Sequence, residues 1–349
     1  MLVGLEIVVP IAVVFALIYL IADRTFSVPP YQGLTTNHFN GRKFLNPDPS
    51  ARRGLVEVLR WKLTSRRAHW NKWTDSQPGP VPPRRVNGDS LRVTFINHAT
   101  VLIQTEGLNI LTDPIWSKRA SPLSWVGPKR RRSPGLRFED LPPIDIVLIS
   151  HNHYDHLDVQ TLVRLNAEHR ARFVTGLGNR ALLDARGINE VVELDWWDDA
   201  KVADELSLIC VPAKHFSGRG LSDSDATLWC GYVIQGSAGN IYFAGDTGMG
   251  SHFAEIKHRL GPIRLALLPI GAYLPSWFMH PVHISPSEAV EVHQVLAASV
   301  SMAIHFGTFA LGDDGELEPV VRLREALANN EKIDSSFWVL EHGEGRDVP

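Results

Sequence analysis

Six consecutive residues, His151-Asn152-His153-Tyr154-Asp155-His156, bring three imidazoles and a carboxylate together. Neutral imidazole and ionised carboxylate are ligands that suit Zn2+, with manganese or iron as alternatives. On a loop, the H-x-H-x-D-H spacing lets His151 and His153 turn toward one ion while Asp155 and His156 turn toward a second. A solvated, His-rich turn is the ordinary alternative for these residue types. Three further residues carry the same chemistry. His215 follows the apolar run Leu206–Val211, Asp246 lies in Tyr242-Phe243-Ala244-Gly245-Asp246-Thr247-Gly248, and His305 ends Met302-Ala303-Ile304. Singly, such a His is a hydrogen-bonded loop residue and G-D-T-G is a turn. Together they put ligand-bearing loops after several apolar runs on one edge of a layered structure.

A carboxylate is what a bridging position needs, because its two oxygens can reach two ions about 3.5–4 Å apart. Asp246 is assigned that role. The first ion is then held by His151, His153, His215 and Asp246, and the second by Asp155, His156, His305 and Asp246. A hydroxide between the two ions would be the nucleophile, with the pair stabilising charge on a pentacoordinate phosphorus.

These loops need strands to carry them. Ile144–Ser150, directly before the His-rich loop, reads as a buried strand. Short, close-spaced strands at Leu91–Ile96, Thr100–Gln104 and Leu108–Thr112 read as antiparallel. Further strands fall at Arg172–Thr175, Leu206–Val211, Leu228–Ile234, Asn240–Ala244, Leu265–Pro269 and Val300–Ile304, with a helix at Val159–His169. Ser285-Pro286-Ser287-Glu288 has the spacing of a capping box opening another helix. The expected class is α+β, an αββα sandwich of two sheets between helices.

The whole chain, 349 residues with 44% hydrophobic and 21% charged residues, can bury a sizeable core. Its net charge of −3 provides no global field for nucleic acid. Cys210 and Cys230, its two cysteines, exclude a disulfide framework and fit a reducing compartment. Ile7–Ala22 is uninterrupted apolar sequence. With Met1–Leu5 before it, the stretch reaches the length needed to span a bilayer. A cleaved signal peptide or a buried helix are the alternatives. Arg24, Arg42, Lys43, Arg52 and Arg53 follow the stretch and no Lys or Arg precedes it, which orients an anchored chain with its catalytic domain in the cytoplasm. The organisation expected is 1–23 as membrane anchor, 24–90 as irregular interfacial segment and 91–349 as the catalytic domain. Within 24–90, an amphipathic helix near Ala51–Arg66 carries Leu55, Val56, Leu59 and Leu63 on one face. Trp61, Trp70 and Trp73 interleave with Arg60, Lys62, Arg66 and Arg67, a pattern suited either to anionic lipid or to packing on the domain.

The H-x-H-x-D-H loop with its later His, Asp and His resembles the metallo-β-lactamase superfamily. From about Leu91 onward the chain more closely resembles N-acyl-phosphatidylethanolamine-hydrolysing phospholipases D. The likeness is carried by Leu111-Thr112-Asp113-Pro114-Ile115, Arg119-Ala120-Ser121-Pro122, Gly127-Pro128-Lys129-Arg130, Leu141-Pro142-Pro143-Ile144-Asp145 and Glu193-Leu194-Asp195-Trp196-Trp197. It continues through Phe243–Gly248, Pro269-Ile270-Gly271-Ala272-Tyr273, Trp277-Phe278-Met279, Ser301–Ala310 and His342-Gly343-Glu344. The resemblance implies a membrane-associated dizinc phosphodiesterase, commonly homodimeric, releasing N-acylethanolamine and phosphatidic acid. It maps metal ligands onto the seven positions above. It also implies that His283 orients the phosphate or assists the leaving group, and that Tyr154 lies near the phosphate. Helix capping is the structural alternative for His283, and loop packing for Tyr154. Asp113 is expected to orient the metal loop, or else to be a plain turn residue. Lys118, Arg119 and Lys129–Arg132 would meet phosphate or anionic lipid, or be solvated.

Departures from the family lie at Gly218, where a lysine is usual, and at Val282, where a polar residue is; both fall near the headgroup region. Competing readings are a soluble-substrate hydrolase such as a sugar-phosphate lactonase, a nuclease, and a non-catalytic membrane-tethered metal-binding protein. The nuclease reading is opposed by the lack of a broadly basic surface.

Overall fold

The computed structural model describes residues 20–21, 23–46, 54–203, 206–328 and 334–349. In chain order its helices are α1 (Leu55–Thr64), α2 (Val159–His169), α3 (Arg180–Asp184), α4 (His252–Leu260), α5 (Ser276–Met279), α6 (Pro286–Leu296) and α7 (Glu318–Ala328). Its strands are β1 (Leu91–Asn97), β2 (Thr100–Thr105), β3 (Leu108–Thr112), β4 (Ile146–Ile149), β5 (Arg172–Gly176), β6 (Val191–Leu194) and β7 (Asp199–Lys201). They continue as β8 (Ser207–Val211), β9 (Gly231–Gln235), β10 (Asn240–Phe243), β11 (Ile263–Pro269), β12 (Val300–Ile304), β13 (Phe337–Trp338) and β14 (Gly345–Val348).

These strands form two seven-stranded sheets, ordered β14-β1-β2-β3-β4-β5-β6 and β13-β12-β11-β10-β9-β8-β7. Each sheet has an antiparallel half and a parallel half. β3 to β6 are parallel neighbours in the first, β10 to β13 in the second. β4 shows why its sequence is apolar throughout. Ile146 and Leu148 join the core between the sheets, while Val147 and Ile149 face a second core with Leu162 and Leu165 of α2. A strand covered on both faces has no polar side to display. Phe253 of α4, Val290 and Leu296 of α6 and Leu323 of α7 cover the second sheet, completing the αββα order.

The expected strand at Leu228–Ile234 starts only at Gly231. Leu228 and Cys230 instead donate their backbone N–H groups across to Leu177 and Ser150 carbonyls of the first sheet's loops. Strands β6, β7, β13 and β14 and helices α3, α4, α5 and α7 lack a counterpart in the sequence reading. β7 (Asp-Ala-Lys) and β14 (Gly-Arg-Asp-Val) are polar edge strands, so neither shows the alternation on which a strand is recognised.

The apolar stretch Ile7–Ala22 lies outside the described residues except for Leu20 and Ile21, which are helical and exposed. Among the described residues no helix is long and apolar enough to cross a membrane. The expected helix near Ala51–Arg66 is α1, with Ala51–Arg53 outside the described residues. Several described residues before Leu91 are bonded to the loop that follows β8. Asp23 accepts from the Leu221 and Ser222 N–H groups (3.0 and 2.9 Å), Val28 N–H donates to Asp223 (2.9 Å), and Phe44 N–H donates to the Asp225 carbonyl (2.9 Å).

Candidate metal centre

Loops at the C-terminal ends of β4, β10 and β12, and the loop after β8, converge. His151 Nε2 and His153 Nδ1 are 2.8 Å apart, and His215 Nε2 lies 3.3 Å from His153 Nδ1. Asp246 Oδ2 stands 3.2 Å from both His156 Nε2 and His305 Nε2, and 3.8 Å from His215 Nε2. Asp155 Oδ2 lies 3.3 Å from His156 Nε2 and 3.6 Å from His305 Nε2. Asp246 is therefore the carboxylate standing between the two groups. His283 Nδ1 sits 3.9 Å from Asp246 Oδ2, and His283, Asp246 and His215 form a group whose ligand atoms all lie within 4.8 Å of one another. Two glycines permit this approach. Gly245 has φ +60° and packs against Ser150, and a Cβ on Gly271 would lie 2.0 Å from the His305 carbonyl oxygen.

Neighbours decide which nitrogen each ring presents. Asp113 Oδ2 holds His156 Nδ1 at 2.6 Å and accepts the Ser150 hydroxyl at 2.6 Å, while Ser150 Oγ lies 2.9 Å from His151 Nδ1. The Val282 carbonyl lies 2.9 Å from His215 Nδ1, so that nitrogen donates and Nε2 is left with its lone pair. Asn46, from the N-terminal segment, accepts the His215 N–H (3.0 Å) and donates to its carbonyl (2.9 Å). Arg219 donates to the Asn152 and Leu157 carbonyls at 2.8 and 2.9 Å, tying down the two ends of the metal loop.

The donor set fits a pair of divalent ions. Tetrahedral Zn–N bonds place ligand atoms ~3.3 Å apart, close to the spacings above. His156 Nε2, His305 Nε2 and Asp246 Oδ1 are buried without a hydrogen-bond partner, an arrangement that costs free energy unless something positive satisfies it. The two buried carboxylates have only imidazoles as ion-pair partners among the described residues. Burial alone would raise their pKa values, yet the surrounding rings, His156 foremost, hold both well below the usual carboxylate range. For His305, burial opposes protonation, but Asp246 and Asp155 overcome it and push the pKa up to about 9. A ligating imidazole must be neutral, so below that pH a proton competes with the metal. Apparent metal affinity is expected to fall by about tenfold for each pH unit below about 9, measured by titrating the metal-free protein with Zn2+ across that range.

A cavity of ≈650 Å3 opens on the centre. His153, Asp155, His215, Asp246, His283 and His305 form its polar floor, and Phe44, Leu45, Val58, Trp61, Phe216, Phe278 and Met279 its apolar walls.

Residues 108–306 match the model of the beta-lactamase superfamily domain. The chain is 38% identical over 329 residues to N-acyl-phosphatidylethanolamine-hydrolyzing phospholipase D 1 of Caenorhabditis elegans, covering 87% of this chain and 92% of that one. The chain belongs to the N-acyl-phosphatidylethanolamine-hydrolysing phospholipase D family. It is a metal-dependent phosphodiesterase of the metallo-β-lactamase superfamily. An uncharacterised Mycobacterium tuberculosis protein is 41% identical over 298 residues, 81% of this chain and 77% of that one. Among solved structures, a possible metal-dependent hydrolase from Veillonella parvula shares the fold, with a TM-score of 0.60 at 17% identity over 74% of this chain and 99% of that one.

Two sets of sequence-derived candidates sit away from the ligand cluster. The Tyr154 hydroxyl donates to the Arg219 carbonyl (2.9 Å), and the Arg219 guanidinium lies 3.9 Å over its ring. Tyr154 is thus packed behind the metal loop and lines a different cavity. The basic run is split. Arg130 is buried and donates to Asn97, Ile115 and Ser117, and Arg132 is buried in a 2.8 Å ion pair with Glu316. Only Lys118, Arg119, Lys129 and Arg131 of the run keep exposed or half-buried positions.

His98 has no counterpart in the sequence reading. It occupies the β1–β2 turn, lies 2.9 Å through Nε2 from Asp155 Oδ2, and accepts the His305 N–H on its carbonyl. His98 and His305 both take left-handed backbone (φ 47° and 62°), a conformation that concentrates at functional sites. A buried histidine between the apolar runs Val93–Ile96 and Val101–Ile103 was the available signal.

As a positioning residue, Asp113 holds His156 directly and reaches His151 through the Ser150 hydroxyl. Asp113→Asn is expected to weaken metal binding about 10–100-fold by loosening His156 and Ser150. Competition against a chromophoric chelator reads this directly; unchanged affinity would remove Asp113 from the role.

Proposed function

We propose that the chain is a membrane-associated phosphodiesterase with two divalent ions, Zn2+ the best suited, that hydrolyses N-acyl-phosphatidylethanolamine-type glycerophospholipids. Water adds at phosphorus, the P–O bond to the ethanolamine oxygen breaks, and N-acylethanolamine and phosphatidate leave. The observation that carries this reading is the cavity: its floor is the cluster of candidate metal ligands and its walls are apolar, partly contributed by the N-terminal segment. A soluble sugar phosphate has nothing to place against Val58, Trp61 and Phe278.

When bound, the ions supply a water of lowered pKa and positive charge for the phosphoryl oxygens. The chain's own residues do the rest. Asp246 and Asp155, both held in the ionised form, would ligate the two ions. Burial and neighbouring His305 hold the His283 pKa down at about 4, despite Asp246. A neutral ring beside the cluster suits donating an N–H to a phosphoryl oxygen. The capping alternative loses support, because Ser285 already closes the capping box with Glu288.

Membrane association draws support from α1. Val58 and Trp61 point into the cavity, while Val56, Leu59 and Leu63 are 74%, 53% and 86% exposed on another face of the same helix. Arg60 lies beside that face on α1, and Arg66 and Arg67 follow the end of the helix. An apolar stripe with basic flanks beside the cavity suits a helix lying in the lipid interface. The apolar stretch before residue 23 would serve as the anchor. The test is hydrolysis of N-acyl-phosphatidylethanolamine in vesicles by the metal-loaded chain. Release of N-acylethanolamine and phosphatidate supports the reading. Turnover of soluble phosphodiesters or lactones alone would replace it with the soluble-substrate reading.

A further inference from the structure

We infer that the stacked pair Trp61–Phe278, latched by Asp313, is the gauge that selects the N-acyl chain of the substrate. This rests on the lipid reading above and deepens it. Trp61 belongs to a helix with three exposed apolar side chains, yet is itself only 8% exposed. Its ring stacks on Phe278 of α5, with centroids 4.9 Å apart and planes at 24°. Both rings line the cavity that holds the metal-ligand cluster.

Trp61 is also locked. Its indole N–H donates to Asp313 Oδ1 at 3.0 Å, and the same carboxylate accepts the Ser65 hydroxyl (2.5 Å) and the Arg66 N–H (3.2 Å). The Asp313 backbone joins both sides of the wall. Its carbonyl accepts the Ala68 N–H and its N–H donates to the Leu274 carbonyl, each at 2.8 Å. The Lys62 ammonium lies 4.5 Å from the Trp61 ring. The Trp61 part of the wall is therefore aromatic surface held in place by the Asp313 carboxylate, whereas Met279 beside it carries a thioether that can repack. Such a surface meets an incoming chain end as a fixed stop.

The occupant follows from size and connectivity. A cavity of ≈650 Å3 has the volume of a site for one drug-sized ligand. It suits one acyl chain beside the metals, with the two-chain diacylglycerol remaining in the bilayer. The single chain on the other side of the scissile phosphodiester is the N-acyl chain.

The test uses the full metal-loaded chain and vesicles of phosphatidylethanolamine bearing short, medium or long N-acyl chains on constant glycerol chains. A second series varies the glycerol chains at constant N-acyl length. In Trp61→Ala and Phe278→Ala, the ratio of kcat/KM for long over short N-acyl chains is expected to rise about tenfold, with metal content unchanged. Asp313→Ala, which removes the acceptor of the indole N–H, should flatten the same profile. Trp61→Phe, which keeps the stack and loses the latch, should fall between, and guards against a misfolded alanine variant. Equal loss of kcat/KM at every N-acyl length would overturn the gauge, and so would a shift confined to the glycerol-chain series. A wild type that cleaves none of these vesicles would instead defeat the lipid reading, and this inference with it.

Discussion

Asp246→Asn is expected to abolish turnover by at least about 10³-fold, with metal content below two ions per chain. Its Oδ2 is the only carboxylate oxygen among the described residues within 4 Å of nitrogens from both groups, reaching His156, His305, His215 and His283. Asparagine keeps the shape and removes the charge. Its amide group would also turn hydrogens toward imidazoles that must present lone pairs. Losing the stabilisation that a correctly held ion lends to developing charge, several kcal/mol, corresponds to three or more decades of rate. Elemental analysis of the purified variant together with its kcat decides the matter. Two ions retained with near-normal turnover would exclude Asp246 as the bridge.

His283→Ala separates metal binding from chemistry. Its Nδ1 lies 3.9 Å from Asp246 Oδ2 at the edge of the cluster, and its backbone N–H is bonded to Met279 at the end of α5. The variant is expected to keep both ions and lose about 10²–10⁴-fold in kcat, the usual worth of a positioned proton-handling group. Because burial keeps the native ring neutral down to about pH 4, the wild-type rate profile should carry no His283 limb near pH 6.5. Metal loss in this variant would move His283 into the ligand set.

Parts of this site are legible in the sequence for a definite reason. The ligands follow parallel or buried strands, and such strands are apolar on both faces, so each ligand stands at the end of a visible hydrophobic run. The capping box at Ser285 is equally local. What escapes sequence reading depends on contacts between distant residues or on the path of a loop. Asn46 reaches His215 across 169 positions, and Trp61 reaches Asp313 across 252. Neither has a periodicity that marks its partner. Tyr154 sits inside the most recognisable motif of the chain, yet the turn sends its ring behind the loop and under Arg219. Arg130 and Arg132 look like surface charge within a run of four basic residues, but carbonyl acceptors and Glu316 draw them inward.

The clamp of Asn46 on His215 reaches beyond geometry. A boundary drawn before Leu91, where the strands begin, would keep every described strand of both sheets but remove Phe39 and Phe44 from the core. That shortened chain would have lost the two hydrogen bonds that steady one metal ligand, together with the aromatic wall from α1. The hydrolytic machinery is therefore not a separable cartridge. Any displacement of the amino-terminal segment, whether by its surroundings or by a protease, is transmitted to His215 through a single asparagine side chain.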